Sequence, residues 1–359
     1  MYCIPFTLFC CYFCFAFVKK KMSQKLMEGV LKSLKETLIK SAVQSLKPKE
    51  AKECSNRISA LFDHNMTGGK YQRSRLALNT FIALSPKTSE DEIFKAAKVA
   101  GTMEMVQTYF LILDDIMDQS KTRRGRPCWY TLPEIGLQAI NDGFIIDCGI
   151  DKVIRDTIPD HPHKETILST IADAKFKTVI GQFLDGASTK IEHSEWGRYA
   201  QIVEHKTSHY SFYCPLAVGF QLADVLHYSN AYQKIAYDMG YMFQAQDDFL
   251  DVFGDEKITG KSSADIANGK CTWLSCRTVE KLSNDTKQFN ILKENFGKAH
   301  AENVSVVREL MHDSEIDKDF LNFQDLAVNK LHKSIEEFKK KEVRQLLHTL
   351  VQSLSGRKT

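Results

Sequence analysis

Asp114-Asp115-Ile116-Met117-Asp118 and Asp247-Asp248-Phe249-Leu250-Asp251 share one pattern, D-D-x-x-D, and each follows an apolar run. Carboxylates packed this densely repel one another, so a hard cation is the reason to keep them together. On a helix, residues i and i+4 share a face, so Asp114 points with Asp118, and Asp247 with Asp251. Two such helices facing each other would offer a wall of carboxylates to Mg²⁺. That ion rarely takes an all-protein cage; it bridges one or two carboxylates to substrate phosphates and keeps several waters. The pattern therefore predicts a phosphate or diphosphate ligand. Solvated acidic helix ends are the plainer alternative, but each cluster lies beside an apolar run rather than among charges.

An anionic ligand needs cations, and candidates stand close by in sequence. Lys121-Thr122-Arg123-Arg124-Gly125 follows the first cluster. Gly254-Asp255 and Thr259-Gly260-Lys261 follow the second, and Gly68-Gly69-Lys70-Tyr71-Gln72-Arg73 lies upstream. Arginine suits bidentate phosphate contacts, and glycine lets backbone N–H groups approach. Together these stretches outline room for two diphosphates.

The elements that must position these residues read as helices. Met27, Val30, Leu31, Leu34, Leu38 and Ala42 fall on one helical face, with Pro48 as the stop. Similar periodicity recurs over 92–113, 136–156, 165–185, 199–224, 231–253 and 320–352. Hairpin signals are scarce, with eight prolines in all and the one Asn-Gly in a polar segment. No Gly- or Pro-rich linker interrupts the chain, so the reading is one all-α domain over 22–359.

Composition is that of a soluble globular protein, with 43% hydrophobic and 26% charged residues. A net charge of +3, without zinc-finger spacing, a basic-aromatic stripe or a long basic block, argues against a nucleic-acid partner. Four of the ten cysteines lie in the first fourteen residues. The others are scattered with no C-x-x-C pair, which reads as reduced thiols and a cytoplasmic setting. Residues 1–18 are almost wholly apolar and Lys19-Lys20-Lys21 follows, so segment 1–21 is a leader of open status. It would be a signal anchor holding the body in the cytosol, a cleaved signal, or an upstream stretch that is never translated because synthesis starts at Met22. A membrane enters only if 1–18 is a true anchor.

The stretches GGKYQR (68–73), QTYFLILDDIMDQSKTRRGRPCWY (107–130), GLQAIND (136–142), IGQFLD (180–185), HKTSHYSFYCP (205–215), FQAQDDFLDVFGDEKITGKSSADI (243–266) and KCTW (270–273) resemble short-chain trans-isoprenyl diphosphate synthases, specifically farnesyl diphosphate synthases of the eukaryotic type. The resemblance implies a large helical bundle of the isoprenoid synthase type with a central active-site cavity, working as a homodimer on prenyl diphosphates. It implies three Mg²⁺ per active site, with Asp114, Asp118 and Asp247 as ligands and Asp115, Asp248 and Asp251 supporting them or binding through water. It also assigns Arg123, Lys206, Thr207, Gln244 and Lys261 to the diphosphate of the allylic substrate. Gly69, Lys70, Arg73, Gln107 and Arg124 would hold isopentenyl diphosphate, and Phe243 would line that second site. The implied catalytic set is Asp114, Asp118, Asp247, Lys206 and Lys261. Cys128 and His205 are read as packing or polar lining, since no side-chain nucleophile is required.

Tyr109 and Phe110 precede Asp114 by about one helical turn, which rises about 5.4 Å, close to one isoprene unit. Large rings there would floor the product pocket, and in the family they limit products to farnesyl length or shorter. The chain departs from the family pattern at Ser74 and Arg75 after GGKYQR, at Val179, Gly101 and Ala245, at Ile266-Ala267-Asn268-Gly269, and in a basic tail reduced to Arg357-Lys358. Three activities fit the scaffold. A chain-elongating prenyltransferase would use both diphosphate sites and make geranyl or farnesyl diphosphate. A terpene synthase would need the aspartates alone. A non-catalytic partner subunit would have broken clusters, and both clusters are intact. Lys70, Arg73, Gln107 and Arg124 favour the first.

Overall fold

The computed structural model describes residues 7–226, 230–254 and 264–356, with side chains described from residue 25 onward. The chain divides into two compact units, Met1–Glu165 and Thr166–Thr359. Both are helical. Among the described residues the only strands are β1 (Thr122–Arg123) and β2 (Arg126–Pro127).

The first unit contains α1 (Thr7–Val43), α2 (Pro48–Asn65), α3 (Gln72–Leu84), α4 (Glu90–Met117) and α5 (Gln138–Thr157). The face expected on α1 is the one that packs: Met27, Val30, Leu31, Leu34 and Leu38 are buried. Pro48 opens α2 in its first turn rather than simply ending α1, where a missing N–H costs nothing. Helix α4 is the axis of this unit. It starts on a capping box, in which the Ser89 hydroxyl accepts from the Glu92 N–H and Glu92 accepts from the Ser89 N–H. It is buried on all sides from Val99 to Val106, as a helix enclosed by neighbours must be. Those neighbours are α1, α3 and α5.

Gly101 lies in this buried stretch. A Cβ there would meet Val30 Cγ1 at 2.7 Å and Leu34 Cδ1 at 2.9 Å, so a tryptophan would displace α1. The departure at this position is therefore matched to the close seating of α1. Beyond α4, Asp142 on α5 accepts hydrogen bonds from Arg57 Nε at 3.0 Å, Arg57 Nη2 at 2.6 Å and Trp129 Nε1 at 2.7 Å. One carboxylate thus joins α2, the turn at Trp129–Thr131 and α5.

The second unit opens within α6 (Lys164–Gly186) and continues through α7 (Trp196–Val203), a π-helical segment (Glu204–Tyr213), α8 (Cys214–Leu222) and α9 (Asn230–Phe253). It ends with α10 (Ala264–Ala267), α11 (Trp273–Leu282), α12 (Thr286–Asn295), α13 (Ala301–Asp313), α14 (Ile316–Ile335) and α15 (Lys341–Ser355). Its core is aromatic. Phe249 stacks on Phe320 at 4.3 Å, and Trp273 meets Phe320 edge-on at 5.5 Å.

Two expected helices are broken. The stretch 199–224 contains the π segment, and 320–352 is interrupted between α14 and α15. All six described cysteines outside the leader are free thiols, and no helix among the described residues is long and apolar enough to cross a membrane. The expected leader, residues 1–21, lies outside the residues whose side chains are described.

Candidate functional site

In the first unit, the acidic end of α4 is closed by a hairpin that the sequence reading missed. Arg124 and Gly125 take φ of 53° and 72°, the left-handed pair that a two-residue hairpin turn needs. The signal was Gly125 after Arg124, read above only as a basic loop. The turn sends the two arginines to different partners. Arg123 folds back onto the cluster: Nε donates to Asp115 Oδ1 at 2.7 Å, and Nη2 lies 2.6 Å from Asp115 Oδ1 and 3.3 Å from Asp114 Oδ2. Burial disfavours the charge on Arg123, but Asp115 and then Asp114 raise its pKa above the ordinary value.

Arg124 turns the other way, toward the glycine loop. A Cβ on Gly69 would lie 3.1 Å from Arg124 Nη1, so the guanidinium lies flush against that backbone. Burial lowers the Arg124 pKa, and Glu104 counters it. A cavity beside the hairpin is lined by His64, Gly68, Asp115, Arg123, Arg124 and Trp129, among others. Cys128 also lines it, and burial with the nearby Asp115 pushes its thiol up to about 12. It is no nucleophile at neutral pH, as expected.

Within the first cluster, Asp115 is buried while Asp114 and Asp118 are half-buried. Tyr109 and Phe110 pack ring on ring at 5.1 Å, and Tyr109 also meets Phe144 of α5 at 6.3 Å. Gln107 sits half-buried two residues earlier on α4.

In the second unit, the π segment presents Lys206 and Thr207. A π turn is wide and uncommon, and it needs close neighbours to hold it. Gly181 of α6 lies against the Lys206 backbone, and Gly240 of α9 against Ser208; a Cβ at either position would overlap. Held so, Lys206 Nζ donates to Asp185 Oδ2 at 2.7 Å, and Lys270 Nζ donates to the same oxygen at 2.9 Å. Burial would raise the Asp185 pKa, but the two lysines hold it below the ordinary carboxylate range. Asp185 and Lys270 were absent from the expected site, although both lie in stretches that carry the resemblance. Their pairing joins residues 85 apart, and no local pattern announces it.

Thr207 Oγ1 donates to Gln244 Oε1 at 2.6 Å, and Gln244 Nε2 donates to Asp248 Oδ1 at 2.9 Å. Asp248 also accepts from Tyr199 Oη at 2.8 Å and from the Trp273 N–H at 2.9 Å. Burial still pushes its carboxyl up to about 7. Asp251 is buried as well and accepts from the Asp265 N–H at 3.0 Å. Asp247 alone of the three is half-buried rather than buried. Asp247 and Asp251 lie four residues apart on α9 as expected, and Asp251, the buried one, ties α9 to α10 through the Asp265 N–H. Phe243 packs edge-on against Phe212 at 5.6 Å. Lys261, Asp255 and the tail Arg357-Lys358 lie outside the described residues.

Among the described residues, no three His, Cys, Asp or Glu side chains form a group able to enclose a metal ion. The chemistry of the donors nevertheless fits Mg²⁺. The more open members Asp114, Asp118 and Asp247 carry hard oxygen donors of the kind that would share such an ion with substrate phosphates.

A family model described as polyprenyl synthetase matches residues 55–314. The chain is 34% identical to farnesyl pyrophosphate synthase 1 of Parthenium argentatum, over 82% of this chain and 87% of that one. It is 36% identical to farnesyl pyrophosphate synthase 1 of Cannabis sativa, over 82% and 88%. With the farnesyl pyrophosphate synthase of Rattus norvegicus it shares 35%, over 80% and 84%. Two solved T. brucei farnesyl diphosphate synthases, one bound to a bisphosphonate and one to risedronate, match with TM-scores of 0.87 and 0.86. Each covers 94% of this chain and 99% of its own at 24% identity, a likeness of fold.

The π segment also buries His209, whose Nδ1 lies 2.7 Å from Tyr237 Oη and whose Nε2 lies 3.2 Å from Asp173 Oδ2. Burial, with the charge of Lys177, lowers its pKa from 6.5 to about 4 against the pull of Asp173. A depressed pKa gives stability that is present above the unfolded value and lost as pH falls through the folded one. Denaturant unfolding between about pH 7.5 and 4 should therefore show the wild type losing roughly 2 to 3 kcal/mol more than His209→Phe. Equal losses would show that His209 carries no such linkage.

Proposed function

This chain belongs to the polyprenyl synthetase family, and we propose that it works as a short-chain prenyltransferase with two diphosphate substrates. It condenses isopentenyl diphosphate with an allylic diphosphate, dimethylallyl or geranyl, to give geranyl or farnesyl diphosphate. The observation that carries the two-substrate reading is the split of the hairpin arginines. Arg123 serves the acidic end of α4, and Arg124 serves the Gly69 loop with Lys70 and Arg73. A terpene synthase needs only the first of these, and that alternative is not favoured.

In this reading Asp114, Asp118 and Asp247 hold Mg²⁺, three ions per site, while Asp115, Asp248 and Asp251 support the helices that carry them. When bound, the metal neutralises charge that builds on the leaving diphosphate. Lys206, with Lys270 beside it, Thr207, Gln244, Arg123 and Lys261 hold that diphosphate and orient the allylic C–O bond for ionisation. Gly69, Lys70, Arg73, Gln107 and Arg124, with Phe243, hold isopentenyl diphosphate so that its double bond meets the cation. The released proton passes to the departed diphosphate. Tyr109 and Phe110 floor the product pocket.

The protein is proposed to be cytoplasmic and to pair with a second copy of itself. Phe176, Val179, Ile180 and Phe183 lie at i, i+3, i+4 and i+7 on α6, with exposures of 68%, 48%, 38% and 69%. An apolar stripe of this kind calls for a partner. Val179, a departure in the sequence, makes the stripe continuous. Sedimentation should give twice the chain mass for the wild type and a single chain for Phe183→Glu; a wild-type monomer rejects the pairing.

The activity is tested with purified protein, Mg²⁺ and geranyl diphosphate, with and without isopentenyl diphosphate. Elongated diphosphates should form only with both, and Tyr109→Ala should shift the products to longer chains. Hydrocarbons or alcohols from geranyl diphosphate alone would overturn the synthase reading. An unchanged product spectrum in Tyr109→Ala would remove that ring from the floor.

A further inference from the structure

Ser74 is a departure from the family pattern that the proposed reaction leaves unexplained. It stands at the third position of α3, one residue after Arg73 and four after Lys70. The first N–H groups of a helix have no partner within it. At α3 the usual remedy is missing, because the preceding residue is Tyr71 in the left-handed region, φ 51°, and its side chain makes no cap.

Another helix supplies the acceptor. Glu104 projects from the fully buried stretch of α4 and is 4% exposed. Its Oε1 accepts from the Ser74 backbone N–H at 3.2 Å and from Ser74 Oγ at 2.9 Å. A buried carboxylate without donors is strongly destabilising, so this acid needs Ser74 as much as the helix needs the acid. A glycine at 74 would keep only the backbone bond. The hydroxyl adds a second, and the pair pins the first turn of α3 to α4.

The same carboxylate acts on the neighbouring groups of the loop. Burial lowers the pKa of Arg124 and raises that of Tyr71, and the Glu104 charge bears on both. Arg124 in turn lies flush against Gly69. One buried oxygen pair therefore reaches the helix turn that carries Arg73 and influences the arginine beneath the glycine loop.

We infer that Glu104, through its two bonds to Ser74, is a positioning residue for the isopentenyl diphosphate subsite. It touches no substrate; it fixes the turn from which Arg73 and Lys70 reach the diphosphate. This rests on the reading that those residues hold the second substrate.

The test separates position from charge and from general stability. Glu104→Ala should raise KM for isopentenyl diphosphate about tenfold or more, with kcat and KM for geranyl diphosphate within about threefold of wild type. Glu104→Gln keeps an oxygen acceptor for Ser74 and should return that KM to within about threefold of wild type. Ser74→Ala, a small change that keeps the backbone bond, should raise the same KM about threefold, and it decides the matter should Glu104→Ala fail to fold. Equal damage to both substrates, a Gln variant no better than the Ala variant, or no effect in Ser74→Ala each overturns the inference. Calorimetry with isopentenyl diphosphate alone distinguishes the two layers. If the wild type binds it but makes no elongated product, the reaction reading fails and the affinity of Glu104→Ala, weaker or equal, judges the positioning role. A wild type that does not bind it rejects both.

Discussion

Mutual repulsion of crowded carboxylates is the constraint on which the rest of this structure turns. Each D-D-x-x-D cluster resolves it by giving one or more aspartates a fixed set of protein donors. At the first, Asp115 is buried beneath Arg123. At the second, Asp248 is buried beneath Tyr199, Gln244 and the Trp273 N–H, and Asp251 accepts from Asp265. Asp114, Asp118 and Asp247 are the half-buried members of the two clusters. The same devices organise the surroundings. At the hairpin Arg123 folds back onto Asp115, and Thr207 and Gln244 are joined by a chain of bonds to Asp248.

Cations are handled in a similar way. Lys206 and Lys270 both donate to Asp185 Oδ2, which gathers two positive charges at one carboxylate. The π segment that carries Lys206 packs against Gly181 and Gly240, where side chains would overlap it. The proposed subsite for the leaving diphosphate thus depends in part on two positions that carry no side chain at all.

Much of this was legible in the sequence because it is local. The apolar face of α1, the long helices and both acidic clusters follow from periodicity and spacing within a few residues. The family assignment rested on several long stretches in the right order. What escaped was non-local or conformational. The turn at Arg124-Gly125 needs a left-handed arginine, which no strand pattern advertises. The π segment hides inside a run with ordinary helical composition, since what widens it is packing by α6 and α9. Asp185, Lys270 and the Ser74–Glu104 tie are partnerships across tens of residues. The helical spacing of Asp247 and Asp251 was read correctly, but the burial of Asp251 and its bond from the Asp265 N–H, 14 residues on, were not foreseen.

The central claim is a division of labour inside each cluster, and metal binding measured beside stability tests it most directly. Titrate Mn²⁺ by paramagnetic resonance, with a diphosphate present, into Asp114→Asn, Asp115→Asn, Asp247→Asn and Asp248→Asn, and record the thermal midpoint of each. The account predicts that Asp114→Asn and Asp247→Asn lose metal affinity with little change in midpoint, whereas Asp115→Asn and Asp248→Asn lower the midpoint and largely keep their affinity once folded. Loss of metal binding in Asp248→Asn at an unchanged midpoint would contradict it.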